Sequence, residues 1–417
     1  MLNDFWIFIS SVMIFIGLVA SEGLLLVVGS LVIVVAIAAR VWDRYSFRSV
    51  SHSRTISRQR AFIGDTVDYS VSLDNDKVLP LIWVDIQDSF PDGLDLVGAT
   101  MRGNGLESNR QHTITSSLLP YQKATWKYSM KCLARGYHRI GPVRLRAGDI
   151  FGFSSSETRY TEFDHILVYP QVLNLDSLMF PPDHPLGDIR SARPLYFDNS
   201  RVVGQRGYQP NDPLKHIDWK ATARARSLQT KVFEPVVSLN MLIVMNGSTR
   251  ENTWQGSNRR LFERTVTVAA SAADLAERRG FSYGVVSNAV ASYSGKWINV
   301  PMGASSNQLA MALEALAMAA PYVIAPLSEV LNAERDSLPA GTTVLLVTSS
   351  VGNLLVEEIA GIRDHGFPVT VLYCGDGPPE RDLGEIMVIS MAAILDQAVA
   401  NQTLSDSTEE HEPVLAE

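Results

Sequence analysis

The chain has 417 residues, a net charge of −8, and 46% hydrophobic against 19% charged residues. That balance excludes global disorder and leaves no whole-molecule case for nucleic-acid binding. At roughly 100–200 residues per domain, the length predicts two or three domains.

Residues 1–42 read as a transmembrane hairpin. Phe5–Ala20 and Leu24–Ala39 are uncharged runs of 16 residues each, separated by Ser21-Glu22-Gly23. A single helix over both would extend about 52 Å, overshoot a hydrocarbon core of about 30 Å and leave Glu22 in its middle. Two helices of about 24 Å with a tight turn fit better. Trp6 and Trp42 stand where interfacial aromatics are expected, and Arg40 can snorkel. A cleaved signal peptide fits less well, because Met1-Leu2-Asn3-Asp4 carries no positive charge and the second run would be unexplained. Arg40, Arg44, Arg48, Arg54, Arg58 and Arg60 follow, opposed by Asp43. The positive-inside rule then predicts a multi-pass anchor in the bilayer with the soluble domains facing the cytoplasm.

Residues 51–175 read as a β-sandwich domain. Val67, Tyr69, Val71 and Leu73 alternate with polar residues, as do Trp126, Tyr128, Met130 and Cys132, and Val143 and Leu145. A period of two marks strands buried on one face. Turn signals lie between, at Asp74-Asn75-Asp76, Pro91-Asp92-Gly93, Gly103-Asn104-Gly105 and Gly141-Pro142.

Residues 176–235 form a linker and a dense polar motif that runs from Arg201 to Pro235. Asp212-Pro213 reads as an N-cap and first helical position, with Leu214, Ile217 and Ala221 on one face of a short helix. Leu228–Phe233 is extended. The polar residues suit two roles: an ion-paired clasp that seats the helix, or a recognition surface for a partner or an anionic group. His216-Ile217-Asp218 does not make a triad, because neighbouring helical positions do not converge on one atom and no nucleophile elbow is present.

Residues 236–400 alternate strand and helix, which implies a doubly wound, mainly parallel α/β sheet. Val237–Met245 is a mainly apolar run, unbroken from Met241 to Met245, as expected of a strand covered on both faces. Ile386–Val399 reads as a closing helix. The segment lacks GxGxxG, GxxxxGK[ST] and HExxH, so neither a nucleotide nor a metal cofactor is expected. Cys132 and Cys374 fall in different domains and read as reduced thiols. Residues 401–417, with five acidic residues after Gln402 and no Lys or Arg, read as a solvated, disordered tail.

The stretch Arg206-Gly207-Tyr208, Asp212, Lys215, Ile217-Asp218-Trp219-Lys220-Ala221-Thr222-Ala223-Arg224, Leu228 and Phe233-Glu234 resembles the bacterial family of domain of unknown function number 58. So does the upstream run Arg135-Gly136, Gly141-Pro142, Asp149 and Phe151-Gly152-Phe153. The resemblance implies a von Willebrand factor A-like α/β domain, an inner-membrane location in a bacterium, and a partner among MoxR-type AAA+ ATPases. It makes Arg206, Tyr208, Asp212, Lys215, Asp218, Trp219, Arg224 and Glu234 the candidate binding residues. Metal-binding von Willebrand A domains carry D-x-S-x-S after the first strand, whereas this chain has Asn246, Ser248 and Arg250, and the strand ending at Val347 is followed by Thr348-Ser349-Ser350 without the Asp often found there. A divalent cation needs anionic oxygen ligands and Arg250 repels it, so a degenerate, metal-free site is expected. The family's usual acidic residue after Arg206 is Gly207 here.

With no catalytic residue identified, the sequence supports a membrane-anchored, non-enzymatic scaffold or adaptor working with a MoxR-type ATPase. The alternatives are a cell-envelope hydrolase with an unrecognised site and a metal-dependent adhesion-type binding domain.

Overall fold

The computed structural model describes residues 2–103, 109–148, 155–175, 197–209, 216–235, 240–250, 256–335, 337–339, 341–384 and 386–397. They form two compact units, divided between Gln171 and Val172.

The first unit opens with α1 (Leu2–Ala20) and α2 (Gly23–Tyr45), packed as a hairpin. The chain reverses at Ser21, whose φ is 54°, and the Glu22 N–H donates to the Gly17 carbonyl at 3.0 Å. Small residues permit the close approach. A Cβ built on Gly29 would lie 2.7 Å from Ile14 Cγ1, and one built on Gly17 would lie 3.1 Å from Leu25 Cβ. Phe8, Phe15, Leu18, Leu24, Val27, Leu31 and Val34 face outward, 62–78% exposed. Gly23–Trp42 is long and apolar enough to cross a membrane, and Ile7–Ala20 is a shorter apolar helix. Disulfide Cβ atoms lie roughly 3.5–4.5 Å apart, so cysteines at positions 17 and 25 would need only a small adjustment to bond. Oxidation of Gly17→Cys/Leu25→Cys is therefore expected to give an intrachain cross-link. A pair that stays reduced would separate the helices.

Strands follow as β1 (Val50–Ile56), β2 (Arg60–Phe62), β3 (Thr66–Asn75), β4 (Leu81–Pro91), β5 (Leu94–Leu96), β6 (Met101–Gly103), β7 (Asn109–Leu118), β8 (Gln122–Cys132), β9 (Gly136–Ile140), β10 (Val143–Gly148), β11 (Ser155–Tyr160) and β12 (Asp164–Tyr169). They build sheets of order β1-β3-β8-β5 and β11-β10-β4-β7-β6, with a small sheet β2-β12-β9. The alternation along β3 buries Val67, Tyr69, Val71 and Leu73 in one core with Ile86, Phe90, Met130 and Leu145. Tyr69 and Phe90 meet edge to face at 5.3 Å.

One buried polar cluster interrupts that core. Arg54 and Asp88 pair at 3.0 Å with side chains 4% and 2% exposed. The Tyr69 hydroxyl donates to the other Asp88 oxygen, and Arg54 also reaches Asp164 at 2.8 Å and the Glu162 carbonyl at 2.8 Å. Arg54 is thus a buried structural cation, not a free member of the basic flank that followed from its position in the sequence.

The sandwich does not extend to residue 175 as expected. Residues 172–175 join the second unit, where the Leu173 N–H donates to Ser271 Oγ at 2.8 Å and Leu175 is fully buried.

The second unit contains a two-stranded ribbon, β13 (Phe197–Gly207) with β14 (Gln229–Pro235), and the helix α3 (Trp219–Ala225) between them. Next come β15 (Asn240–Met245), α4 (Arg259–Arg278), β16 (Ser282–Ala291), β17 (Trp297–Gly303), α5 (Gln308–Ala317), β18 (Ala319–Val323), α6 (Leu327–Arg335), β19 (Thr343–Thr348), α7 (Asn353–Asp364), β20 (Val369–Tyr373) and β21 (Met387–Ser390). The sheet order is β17-β16-β15-β19-β20-β21, with β18 pairing antiparallel to β16 outside that path. The neighbours from β16 to β21 run parallel, and β17 is antiparallel. The order reverses between β15 and β19, which makes the carboxyl ends of these two strands the switch point.

Both sheet faces are covered, which explains the unbroken apolar strands. Leu242, Val244, Val344, Leu346 and Val371 pack with Leu327, Val330, Leu355 and Ile359 of α6 and α7. Met241 and Leu345 lie instead with Ala272 and Leu275 of α4. The expected closing helix over Ile386–Val399 is corrected: Met387–Ser390 pairs in parallel with β20, and among the described residues a helix occupies 392–397. Met387, Val388 and Ile389, beside an otherwise unpaired edge of β20, gain a hydrogen-bond ladder that a helix there would forgo.

Candidate functional site

The chain leaves β15 at the switch point and enters a polar turn. Asn246 N–H donates to the Val347 carbonyl at 2.9 Å, which ties the turn to β19. The Asn246 Nδ2 donates to Thr348 Oγ1 at 3.2 Å, and its Oδ1 accepts from the Ser248 N–H at 3.0 Å and from Asn288 Nδ2 at 3.4 Å. Asn288, on β16, accepts the Gly247 N–H at 2.8 Å. Thr348 in turn donates to the Ser350 carbonyl at 2.8 Å. Asn246, Asn288 and Thr348 are all buried. The amide and hydroxyl groups satisfy one another without a formal charge, as a buried polar network requires.

The same turn fixes the next helix. Thr249 Oγ1 accepts the Asn258 N–H at 2.8 Å, and Asn258 Oδ1 caps α4 through Arg260 N–H at 3.1 Å and Leu261 N–H at 3.3 Å.

Above this network lies a crevice of about 440 Å³. Asn246, Ser248 and Arg250 line one side, Asn288 and Ala325–Leu327 another, and Ser350, Gly352, Leu354 and Glu358 the third. Arg250 is exposed, whereas Glu358 Oε1 accepts the Ser328 N–H at 2.9 Å and so helps hold the start of α6. Among the described residues, no histidine, lysine or cysteine lines the crevice, and no group of three metal-ligating His, Cys, Asp or Glu side chains occurs. The two thiols lie elsewhere. Burial pushes Cys374 up to about 12 and Cys132 up to about 11, which leaves both unreactive near neutral pH.

The structure thus brings Asn246, Ser248 and Arg250 together with Ser350, and adds Asn288 and Glu358, which the sequence reading did not single out. Asn288 gave a weak signal as a lone amide within the apolar strand Val285-Val286-Ser287-Asn288-Ala289-Val290. A polar residue inside a strand covered on both faces needs a specific partner.

The motif residues gather separately, on the ribbon and α3. Asp218, not Asp212, caps the described helix: its Oδ1 accepts the Lys220 N–H at 3.0 Å and the Ala221 N–H at 3.1 Å. These backbone N–H groups, Ala221's first, hold the Asp218 carboxyl below its ordinary range. Its other oxygen accepts from Gln205 Nε2 at 3.1 Å. The expected helix through Ile217 is corrected as well, since Ile217 forms a bridge to Thr230 and the helix starts at Trp219. Tyr208 N–H donates to the Leu228 carbonyl at 2.9 Å, Arg206 lies on β13, and Glu234 belongs to β14. Trp219 is 69% exposed, and Arg224 is exposed in the last turn of α3. Asp212 and Lys215 lie outside the described residues, as do Asp149, Phe151 and the expected tail at 401–417.

Among solved structures, the chain is similar to a cohesin module from a family 33 glycoside hydrolase of Clostridium perfringens, at 8% identity and a TM-score of 0.21, over 29% of this chain and 98% of that one. It is also similar to native alpha-2-macroglobulin from Escherichia coli, at 15% identity and a TM-score of 0.22, over 37% of this chain and 22% of that one. A curated relative, the uncharacterized protein YeaD of Bacillus subtilis, is 27% identical over 246 residues, or 58% of this chain. The chain spans 57% of that relative's length. Residues 204–358, which hold α3, the ribbon's second half and the crevice, match the family described as "Protein of unknown function DUF58".

Proposed function

We propose that the chain is a membrane-anchored, non-catalytic adaptor whose α/β unit, of von Willebrand factor A type, docks a protein partner at the crevice between the ends of β15 and β19. The observation that carries this reading is the neutral Asn246–Asn288–Thr348 network beneath Arg250. A divalent cation gains little from amide and hydroxyl oxygens that already bond one another, and a nearby guanidinium opposes it. The exposed cation suits a carboxylate on a partner instead. The doubly wound strand order, with its antiparallel β17, supports the domain type. The apolar exterior of α1 and α2 supports a two-pass anchor in a bacterial inner membrane, and the arginines after α2 favour cytoplasmic soluble units. The sequence motif of α3 and its ribbon favours a MoxR-type AAA+ ATPase as the partner.

The test is co-elution of the full chain, in detergent, with a MoxR-type ATPase from the same cell. Stoichiometric co-elution is expected, insensitive to EDTA and weakened about tenfold or more by Arg250→Glu, since charge-assisted contacts to a carboxylate are worth about 1.5–3 kcal/mol. Absence of co-elution, or its loss on chelation, would refute the reading.

A further inference from the structure

The α3 segment uses only part of its side chains to fold. Asp218 caps the helix, Ala221 and Ile217 are buried, and Thr222 Oγ1 accepts the Gln229 N–H at 3.0 Å. Those contacts seat α3 on the ribbon. They leave Trp219 at 69% exposure, Leu228 at 44%, and the exposed cations Lys220, Arg224 and Arg226 with no structural task of this kind. The Asp218 carboxylate, at the start of the same segment, is already committed to two backbone N–H groups and to Gln205.

Arg226 is the most informative of these. It holds the left-handed C-cap of α3 at φ 52° and ψ 24°. Glycine takes that conformation without a steric penalty, whereas a side chain there costs of order 1 kcal/mol. The position therefore carries a guanidinium at a local cost to the backbone.

We infer that the exposed face of α3 and the turn after it, Trp219, Lys220, Arg224, Arg226 and Leu228, is a docking surface for an anionic lipid bilayer. The inference rests on the membrane-anchor reading given above. The charges are complementary: three cations on one short segment face a surface of phosphate headgroups. A wholly hydrophilic acidic segment would satisfy the cations but leave Trp219 and Leu228 in water. An amphipathic indole beside cations is the combination that partitions to the headgroup level, with the ring at the acyl boundary and the charges in the headgroups. A chain already tethered by α1 and α2 samples that surface at high effective concentration, so weak contacts suffice. Each cation near such a surface contributes about fivefold in partitioning, and three together on the order of a hundredfold.

The test uses the full chain in nanodiscs of phosphatidylcholine alone or with phosphatidylglycerol, followed by hydrogen exchange. Amides of residues 216–229 are expected to exchange more slowly in the anionic discs, and the difference is expected to vanish in high salt. Arg226→Gly should reduce the protection about fivefold while leaving the exchange of β15 unchanged, because the substitution relieves the backbone. Lys220→Glu/Arg224→Glu should abolish it. Equal exchange in both discs, or protection that survives both variants, overturns the inference. Recovery of the chain with the discs reports on the anchor independently. Should the chain enter neither disc, cosedimentation with phosphatidylglycerol vesicles decides: salt-sensitive binding lost in Arg226→Gly supports the surface, and no binding overturns it.

Discussion

Arg54→Met is expected to destabilise the sandwich by about 3–5 kcal/mol, the range for removing one partner of a buried ion pair. The methionine stem replaces most of the arginine's packing, so the loss is electrostatic. Asp88 would keep the Tyr69 donor but lose its counter-ion at 3.0 Å, and Asp164 and the Glu162 carbonyl would each lose a donor. The effect depends on pH. Burial pushes Asp88 up from 3.8 to about 6, against the opposing pull of Arg54 and Tyr69. A carboxyl whose folded pKa exceeds its unfolded value contributes fully below the unfolded value and loses that contribution as pH rises through the folded one. Without Arg54 the folded value climbs further, and the loss continues to higher pH. His52 shifts the balance the same way. Burial first, then the Arg54 charge, lowers it from 6.5 to about 4, so its contribution is lost as pH falls between those values. Removing Arg54 moves His52 back toward 6.5 and shrinks that acid loss. The cost of Arg54→Met should therefore be smaller near about pH 5 than near about pH 7.5. Hydrogen exchange of the β3 and β4 amides in the full chain measures it, and an equal cost at both pH values would show that Arg54 acts through packing alone. Adding Asp88→Asn should recover part of the loss, because the buried charge is then gone.

The elements that could be read from the sequence are those with local causes. Two uncharged runs around Ser21-Glu22-Gly23 define the hairpin, and the period-two alternation from Val67 to Leu73 defines β3. The continuous apolar runs define β15 and β19, whose two covered faces remove the alternation. What escaped depends on distant partners. Arg54 looked like one more juxtamembrane cation, and only Asp88 and Asp164, brought across sheets, make it a core residue. Asp218 caps α3 because the ribbon register that pairs Ile217 with Thr230 starts that helix at Trp219. β21 is a short apolar run whose periodicity does not separate strand from helix, and its neighbour β20 decides. At the crevice, Asn246, Ser248 and Arg250 were legible as a departure from an acidic pattern. Thr348 was legible in the same way, 102 residues away, but its bond to Asn246 was not, and neither was Asn288, 42 residues away.

Those partners make Asn246→Asp a sharp probe of the crevice. The substitution is isosteric, yet it replaces the Nδ2 donor facing Thr348 Oγ1 at 3.2 Å by a carboxylate oxygen. Thr348 already donates to the Ser350 carbonyl at 2.8 Å. Its hydroxyl can turn to the new oxygen only by leaving that carbonyl unpaired, and if it does not turn, two acceptors face each other. The Ser248 N–H and Asn288 Nδ2 still donate to the other oxygen, so the charge is partly solvated by the protein. The expected cost is about 2–3 kcal/mol, the penalty for an imperfectly satisfied buried polar group. Desolvation would raise the new carboxyl above its unfolded value, so the variant should lose stability as pH rises through the folded pKa. Magnesium should not rescue it while Arg250 remains. Asn246→Asp/Arg250→Ser, with an anionic ligand restored and the opposing cation removed, should instead gain a saturable, magnesium-dependent rise in melting temperature, because a ligand that binds only the folded state stabilises it. Rescue of the single variant by magnesium would mean that Arg250 does not oppose a cation at this crevice, and the metal-free reading of the site would fall with it.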